Sequence, residues 1–234
     1  MSKSRAQQKG FTLIEIMIAL VLGAFLIGGV IQLFVSTRQT FLMEDALSRL
    51  QENGRFAMEF IGREIRLADY RFCPSKPRMA DAVAGTDGNS ATNPDAPDSI
   101  TVRWSSRTCA DPLNTSNVTN QLSINTANGI KILLRNANIA SNQLVEGVEN
   151  MQVLYGVDTD GNRIPNYYAP ATGLNMAQVV SIRVSLLLST IEDNIAASPL
   201  SYVFNNETVP VPVPSDRRLR RVFTTTFALR NRIP

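Results

Sequence analysis

The sequence predicts an α+β chain: one long N-terminal helix, half apolar and half amphipathic, packed through its second half on an antiparallel β-sheet head. Three observations carry this. Residues 10–37, GFTLIEIMIALVLGAFLIGGVIQLFVST, hold no charge after Glu15; residues 41–68 repeat apolar side chains at spacings of three, four and seven; and beyond Asp98 the apolar pattern turns to a period of two.

The apolar half comes first. A helix over residues 16–37 covers roughly 30 Å, one bilayer core, which ties the chain to a membrane. It differs from a signal peptide, because the apolar run exceeds the usual ~7 to 15 residues, no small-x-small cleavage site follows it, and Glu15 sits in its opening turn. Its small residue, Gly10, lies before the run and directly after the basic Lys3, Arg5 and Lys9. That order predicts a short leader, residues 1–10, cut on the cytoplasmic side, with residues 11–37 retained as the hydrophobic half of the helix. Basic residues beside a first apolar helix stay in the cytoplasm, so residues 38–234 are expected in the periplasm as a globular head. The formal charge of +3 leaves with the three basic residues of the leader, and with it any global argument for a nucleic-acid partner.

In the amphipathic half, Phe41, Leu47, Leu50, Ala57, Phe60 or Ile61, Ile65 and Ala68 form a stripe, while Arg38, Glu44, Asp45, Arg49, Glu52, Arg55, Glu59 and Arg63 fill other positions. The first proline is Pro74 and only Gly54 and Gly62 interrupt, so residues 11–70 read as one rod of roughly 90 Å. Gly23, Gly28 and Gly29 either weaken the membrane half, at about 1 kcal/mol each, or allow close helix contact. Residues 78–98, rich in Ala, Gly, Asp, Asn, Ser and Pro, read as a surface loop. Strands are expected around Ile100, Val102 and Trp104; Ile130, Ile132 and Leu134; Met151, Val153, Tyr155 and Val157; Val180, Ile182, Val184, Leu186 and Leu188; and Phe223, Thr225, Phe227 and Leu229. The Val-Pro repeats in residues 205–216 favour an extended polyproline segment.

Two cysteines suit an exported chain. A bridge between Cys73 and Cys109 would close a loop of about 36 residues and stabilise the fold by roughly 4 kcal/mol; the alternative is two buried thiols. With no histidine in the chain they supply half a tetrahedral metal set.

The string Lys9-Gly10-Phe11-Thr12-Leu13-Ile14-Glu15 resembles the prepilin peptidase site of type IV pilins and type II secretion pseudopilins. The resemblance implies cleavage between Gly10 and Phe11, methylation of the new Phe11 amine, and Glu15 as the assembly carboxylate. An ionised group in a bilayer centre costs about 2.5 to 3.5 kcal/mol, and a neighbouring subunit's Phe11 ammonium is one partner that offsets it. Snorkelling to the interface, or attraction to the helix N-terminus, are the other readings of Glu15. Many pilins of this kind carry a proline where this chain has Gln32.

Three further stretches are similar to the PilW family of minor type IV pilins: Leu50-Gln51-Glu52-Asn53-Gly54-Arg55-Phe56-Ala57 with Ala68-Asp69-Tyr70 and Cys73; Val145-Glu146-Gly147-Val148-Glu149-Asn150-Met151-Gln152-Val153 leading into Tyr155-Gly156-Val157-Asp158; and Arg217-Arg218-Leu219-Arg220-Arg221-Val222-Phe223-Thr224-Thr225-Thr226 with Arg230-Asn231-Arg232. This resemblance implies the type IV pilin fold and a low-abundance subunit that joins other minor pilins and the major pilin. It also implies a priming complex at the inner-membrane assembly platform and then the pilus tip, a possible adhesin there, and twitching, adhesion or DNA uptake as the downstream roles. The J-type minor pseudopilin of type II secretion is the alternative.

Asp158, Asp160 and Asn162 have the alternate spacing of a calcium loop, but Gly161 comes early and Ala169 stands where a bidentate Glu is needed; an Asp160-Gly161 turn is the competing reading, and no cofactor is otherwise expected. Arg217, Arg218, Arg220 and Arg221 could meet an acidic pilin face or DNA phosphates, against a solvated strand lead-in, and no interleaved aromatic platform favours direct nucleic-acid binding. A periplasmic enzyme is the rival class. With no histidine, no G-x-S-x-G elbow and no Walker A loop, only a carboxylate pair such as Glu146 and Glu149 could serve it, and no catalytic residue is assigned.

Overall fold

In the computed structural model of the chain the described residues are 10–72, 79, 81–88, 96–105, 117–137, 141–204, 207–209 and 216–232. Cys73 and Cys109 lie outside them, as do residues 1–9 of the expected leader. The chain divides into two compact units, one ending at Asp45 and the other spanning Ala46–Pro234.

Helix α1, Leu13–Leu67, runs unbroken through Gly23, Gly28 and Gly29. Its first part is apolar on every side and bare. Large side chains from Phe11, 80% exposed, to Val35, 53% exposed, have no cover among the described residues. From Leu50 onward the helix buries one face, with Ala57, Ile61 and Ile65 completely enclosed. The expected stripe therefore starts later than its periodicity suggests. Phe41 is 67% exposed and falls before the second unit begins, whose first half-buried apolar residues are Ala46 and Leu47. Each large side chain buried along this face stabilises the head by about 1.5 to 3 kcal/mol.

Two antiparallel sheets complete the second unit. One takes β1 (Val83–Thr86), β2 (Ser99–Ser105), β3 (Asn117–Ala127), β4 (Ile130–Ala137) and β5 (Ser141–Glu146) in chain order. The other takes β6 (Val148–Val157), β7 (Tyr167–Ala169), β8 (Val179–Ser189) and β11 (Arg220–Ala228) in the order β11-β8-β6-β7. A short ribbon pairs β9 (Tyr202–Phe204) with β10 (Glu207–Val209). All five strands expected from alternation are present. Two expectations need correction. The stretch 78–98 is not wholly loop, because Ala82 and Val83 are fully buried and β1 pairs along β2. Nor is 205–216 wholly polyproline-like, since β10 closes a hairpin with β9 before the proline repeats begin.

Gly147 and Asp98 are among the residues that join the sheets. Gly147, with φ +80°, donates its N–H to the Lys131 carbonyl of β4 at 2.9 Å and accepts from the Ser189 N–H of β8 at 2.8 Å. Only glycine fits there, both for its φ and because a Cβ would meet the Ser189 carbonyl. Asp98 makes a second joint: its N–H donates to the Met151 carbonyl of β6 at 2.8 Å, and its carboxylate accepts from Val153 N–H at 2.7 Å and from Gly88 N–H at 2.9 Å. Burial pushes the Asp98 pKa above its ordinary 3.8, against the pull of those two N–H groups.

Candidate functional site

The first turn of α1 is a defined structure. Thr12 caps it, its Oγ1 and its carbonyl both accepting from the Glu15 N–H at 3.3 and 3.2 Å, while Ile16 N–H reaches the same carbonyl at 3.3 Å. Thr12 and Glu15 stand three apart in the T-x-x-E spacing of a capping box, which satisfies an orphan helix donor and favours an acid in the positive first turn. That spacing is legible in Thr12-Leu13-Ile14-Glu15, so sequence reasoning could have singled out Thr12 and did not. Gly10, Phe11 and Glu15 are all exposed. Within the helix an 18-residue window of mean hydropathy 2.5 is wholly uncovered. The site is thus a capped helix start with an exposed carboxylate, leading into a naked apolar cylinder.

The other constellations resolve into joints and turns. In the Asp158 loop the carboxylate and amide oxygens are turned inward. Asp158 accepts from the N–H groups of Gly161 and Arg163, both at 2.7 Å, and of Asp160 at 3.2 Å. Asp160 accepts from the Asn162 N–H at 3.1 Å and from the side-chain amides of Asn162 and Asn166 at 2.9 and 3.3 Å; Asn162 accepts from Ile164 N–H at 2.8 Å. Desolvation opposes charge on Asp158, but the Arg163 and Gly161 N–H groups overcome it and hold its pKa below the ordinary value. Among the described residues no cluster of three or more His, Cys, Asp or Glu is arranged to hold a metal ion.

The arginine run is not a uniform solvated lead-in. The Arg220 side chain is 7% exposed and forks between two carboxylates, Glu149 at 2.8 and 3.0 Å and Asp216 at 2.7 Å twice. Its guanidinium also lies 5.3 Å from the Tyr202 ring centre. The hydrogen bonds Arg220 donates to Asp216, outweighing burial, raise the Arg220 pKa, and the same contact lowers that of Asp216. Arg217 is spent on Asn194 Oδ1 at 2.9 Å and on the Asp193 carboxylate through its N–H at 2.7 Å. Arg221 is exposed, its guanidinium 6.0 Å from the Phe223 ring centre. Of the Glu146 and Glu149 pair, Glu149 is one of the two carboxylates held by Arg220, and Glu146 is exposed on the far side of the Gly147 joint.

One buried group escaped sequence reasoning. Glu64, 2% exposed, accepts from Asn120 Nδ2 at 2.8 Å and lies 3.5 Å from Arg135. An acid beside Arg63 on a charged helix gives no warning that it points inward, and its partners sit on strands dozens of residues away.

The motifs that carried the family resemblance turn out to be packing devices. Gly54 lies under the Phe223 ring and Gly62 under the Phe227 ring, each so close that a Cβ would overlap the aromatic carbons. Eight residues of helix and four of strand both span roughly 12 to 14 Å, so the two glycines meet the two rings in step. Asp69, with φ +59°, ends α1 in the left-handed region and donates its N–H to the Arg103 carbonyl at 3.0 Å. Asn231 Nδ2 then covers the last helix carbonyls, Arg66 at 2.8 Å and Ala68 at 3.0 Å. Arg232 is buried and donates to the carbonyls of Met176 and, at 3.3 Å, Val179.

The chain is similar to several known proteins. Solved structures similar to this chain include a type IV-like pilin, TTHA1219, from Thermus thermophilus, at 16% identity over 80% of this chain and 98% of that one, with a TM-score of 0.48. Another is from the GspK-GspI-GspJ complex of the enterotoxigenic Escherichia coli type 2 secretion system, at 12% identity over 79% of this chain and 97% of that one, with a TM-score of 0.35. No curated protein matches. The prokaryotic N-terminal methylation motif matches residues 5–31. The family model for type IV pilus-assembly protein W matches residues 113–231, just over half of the 234 residues, and the chain belongs to the PilW family of type IV minor pilins.

Proposed function

We propose that this minor pilin loses residues 1–10 to a prepilin peptidase, keeps residues 11–37 in the inner membrane with residues 38–234 in the periplasm, and joins other minor pilins in a complex that primes type IV pilus assembly and ends at the tip. The observation that carries this reading is the uncovered apolar part of α1 with Glu15 in its capped first turn. A helix apolar all round needs lipid or other helices around it. An acid among such helices needs a positive partner, and the freed, methylated amine of Phe11 on an adjacent subunit supplies one at the same depth. The role is structural, with no reaction assigned to the chain. Bridging of Cys73 to Cys109 in the oxidising periplasm belongs to the same reading.

Glu15→Ala tests it. In a strain lacking the wild-type gene, the variant should insert and accumulate normally yet restore few or no pili, because the head keeps every contact it has while the ammonium loses its counter-charge. Pili at wild-type number would overturn the proposal.

A further inference from the structure

Among the described residues, the longest strand edge in the head, that of β11, has no paired neighbour. β11 ends its sheet, and two hydrogen bonds fix the phase of its ladder with β8: Thr190 N–H to Leu219 carbonyl and Leu229 N–H to Val180 carbonyl, both at 2.9 Å. In an antiparallel ladder the bonded pairs alternate, and the register runs without a shift from Arg220↔Ser189 to Ala228↔Ser181. The odd-numbered residues therefore spend their N–H and C=O groups on β8. Val222, Thr224, Thr226 and Ala228 turn theirs outward, where no strand among the described residues pairs with them; β9 approaches β11 at its start, where the Tyr202 ring lies against Arg220.

Sheet edges are normally blunted by shortness, bulges, prolines or lysines. The other edges here are: β7 has 3 residues, β1 has 4, and β5 has 6 with a register shift opposite it. β11 has 9 residues, no shift, and neither proline nor lysine. Beside it Arg55, Met58 and Glu59 of α1 line a groove with Arg221 and Thr225. Among the described residues neither Arg55 nor Arg221 is ion-paired, so the groove carries two guanidiniums against one carboxylate. The occupant needs an extended backbone and an acidic side chain. A second copy of β11 has no Asp or Glu to offer.

We propose that the outer edge of β11 accepts an extended strand from a different pilus subunit, paired along Val222 to Ala228, with an acidic residue beside Arg55 and Arg221. This rests on the assembly reading above and names the surface and chemistry of one contact in it.

The test is photocrosslinking in piliated cells, using the full chain with a benzophenone side chain at Thr224 or Thr226, and at Gln121 of β3, paired with both β2 and β4, as the control. Adducts to another pilus subunit are expected at the first two positions and not at the third, with the crosslinked peptide carrying an Asp or Glu. Thr226→Pro removes an N–H that β8 does not use and should abolish the Thr224 adduct and lower the pilus count several-fold while the head melts as the wild type does. Should the proline disturb folding, Thr224→Lys keeps every backbone donor and carries the same expectation. No adduct, an adduct to a second copy of this chain, equal adducts at Gln121, or normal adducts and piliation in Thr224→Lys would each overturn the proposal. Glu15→Ala separates the two claims: pili lost in that variant but normal in Thr224→Lys would sink the edge alone, and normal pili in Glu15→Ala would sink the assembly reading while the crosslinks still decide the edge.

Discussion

One helix contains two sets of glycines, and they do opposite things. Around Gly23, Gly28 and Gly29 a Cβ would meet nothing within 4 Å, whereas at Gly54 and Gly62 it would run into the rings of Phe223 and Phe227. Backbone geometry is the same in both places, and so is the intrinsic cost of about 1 kcal/mol per glycine relative to alanine. The difference lies in what stands opposite. For the second set the partner is in the chain and repays the cost through close packing. For the first set none stands within 4 Å among the described residues, and the surrounding side chains are bare as well. The second unit is a folding problem solved within one molecule; the first is written for surroundings of lipid or other helices.

Substitutions should separate the two regions by readout: the head in isolated stability, the bare helix in assembly. The largest isolated effect is expected from Arg220→Ala. It strands Glu149 and Asp216 together without their cation and should cost about 3 kcal/mol, read by denaturant unfolding of the full chain in detergent. Arg220→Lys should recover only part of this, since an ammonium cannot fork between both carboxylates. Next come Gly54→Leu and Gly62→Leu, each expected to lose about 1 to 3 kcal/mol by overpacking against Phe223 or Phe227, while Gly28→Leu leaves the melting temperature of the isolated protein unchanged or slightly higher. Equal losses at Gly28 and Gly62 would erase the comparison.

A smaller effect is pH-dependent. The hydrogen bonds from Arg220 hold the folded-state pKa of Asp216 below its ordinary 3.8. Its contribution is therefore present above that ordinary value and lost as pH falls through the lowered folded one. Asp216→Asn should be less stable than wild type at neutral pH, with the gap narrowing below about pH 4 in parallel melts. A gap that stays constant down to low pH would mean that the clamp is not ionic.

The same contrast explains what the sequence disclosed. The apolar helix was legible because one solvent dictates one composition, and β2, β4, β6, β8 and β11 because each alternates cleanly. β3 was missed since Asn117–Ala127 is mostly Asn, Ser and Thr, with Val118, Leu122 and Ile124 as its apolar residues. β1 was missed because its 4 residues, Val-Ala-Gly-Thr, look like the loop around them, and Gly85 is there to clear the Tyr155 hydroxyl, a need no local pattern records. Gly10, Phe11 and Glu15 could be named from a motif, yet the fork of Arg220, the inward turn of Glu64 and the covering of the helix end by Asn231 are long-range facts. Glu64 to Asn120, Arg220 to Glu149 and Asn231 to Arg66 pair residues 56 to 165 positions apart along the chain. Arg220 in particular reads as one of four equivalent cations until the sheet brings Glu149 beside it.

The central claim is that the helix opening at Thr12 survives processing with its amine freed at Phe11. Intact-mass and N-terminal peptide mass spectrometry of the protein extracted from membranes tests it most directly. The account predicts a chain that starts with an N-methylated Phe11 and retains the whole of Leu13–Leu67; a chain still carrying residues 1–10, or one cut after the apolar segment, would contradict it.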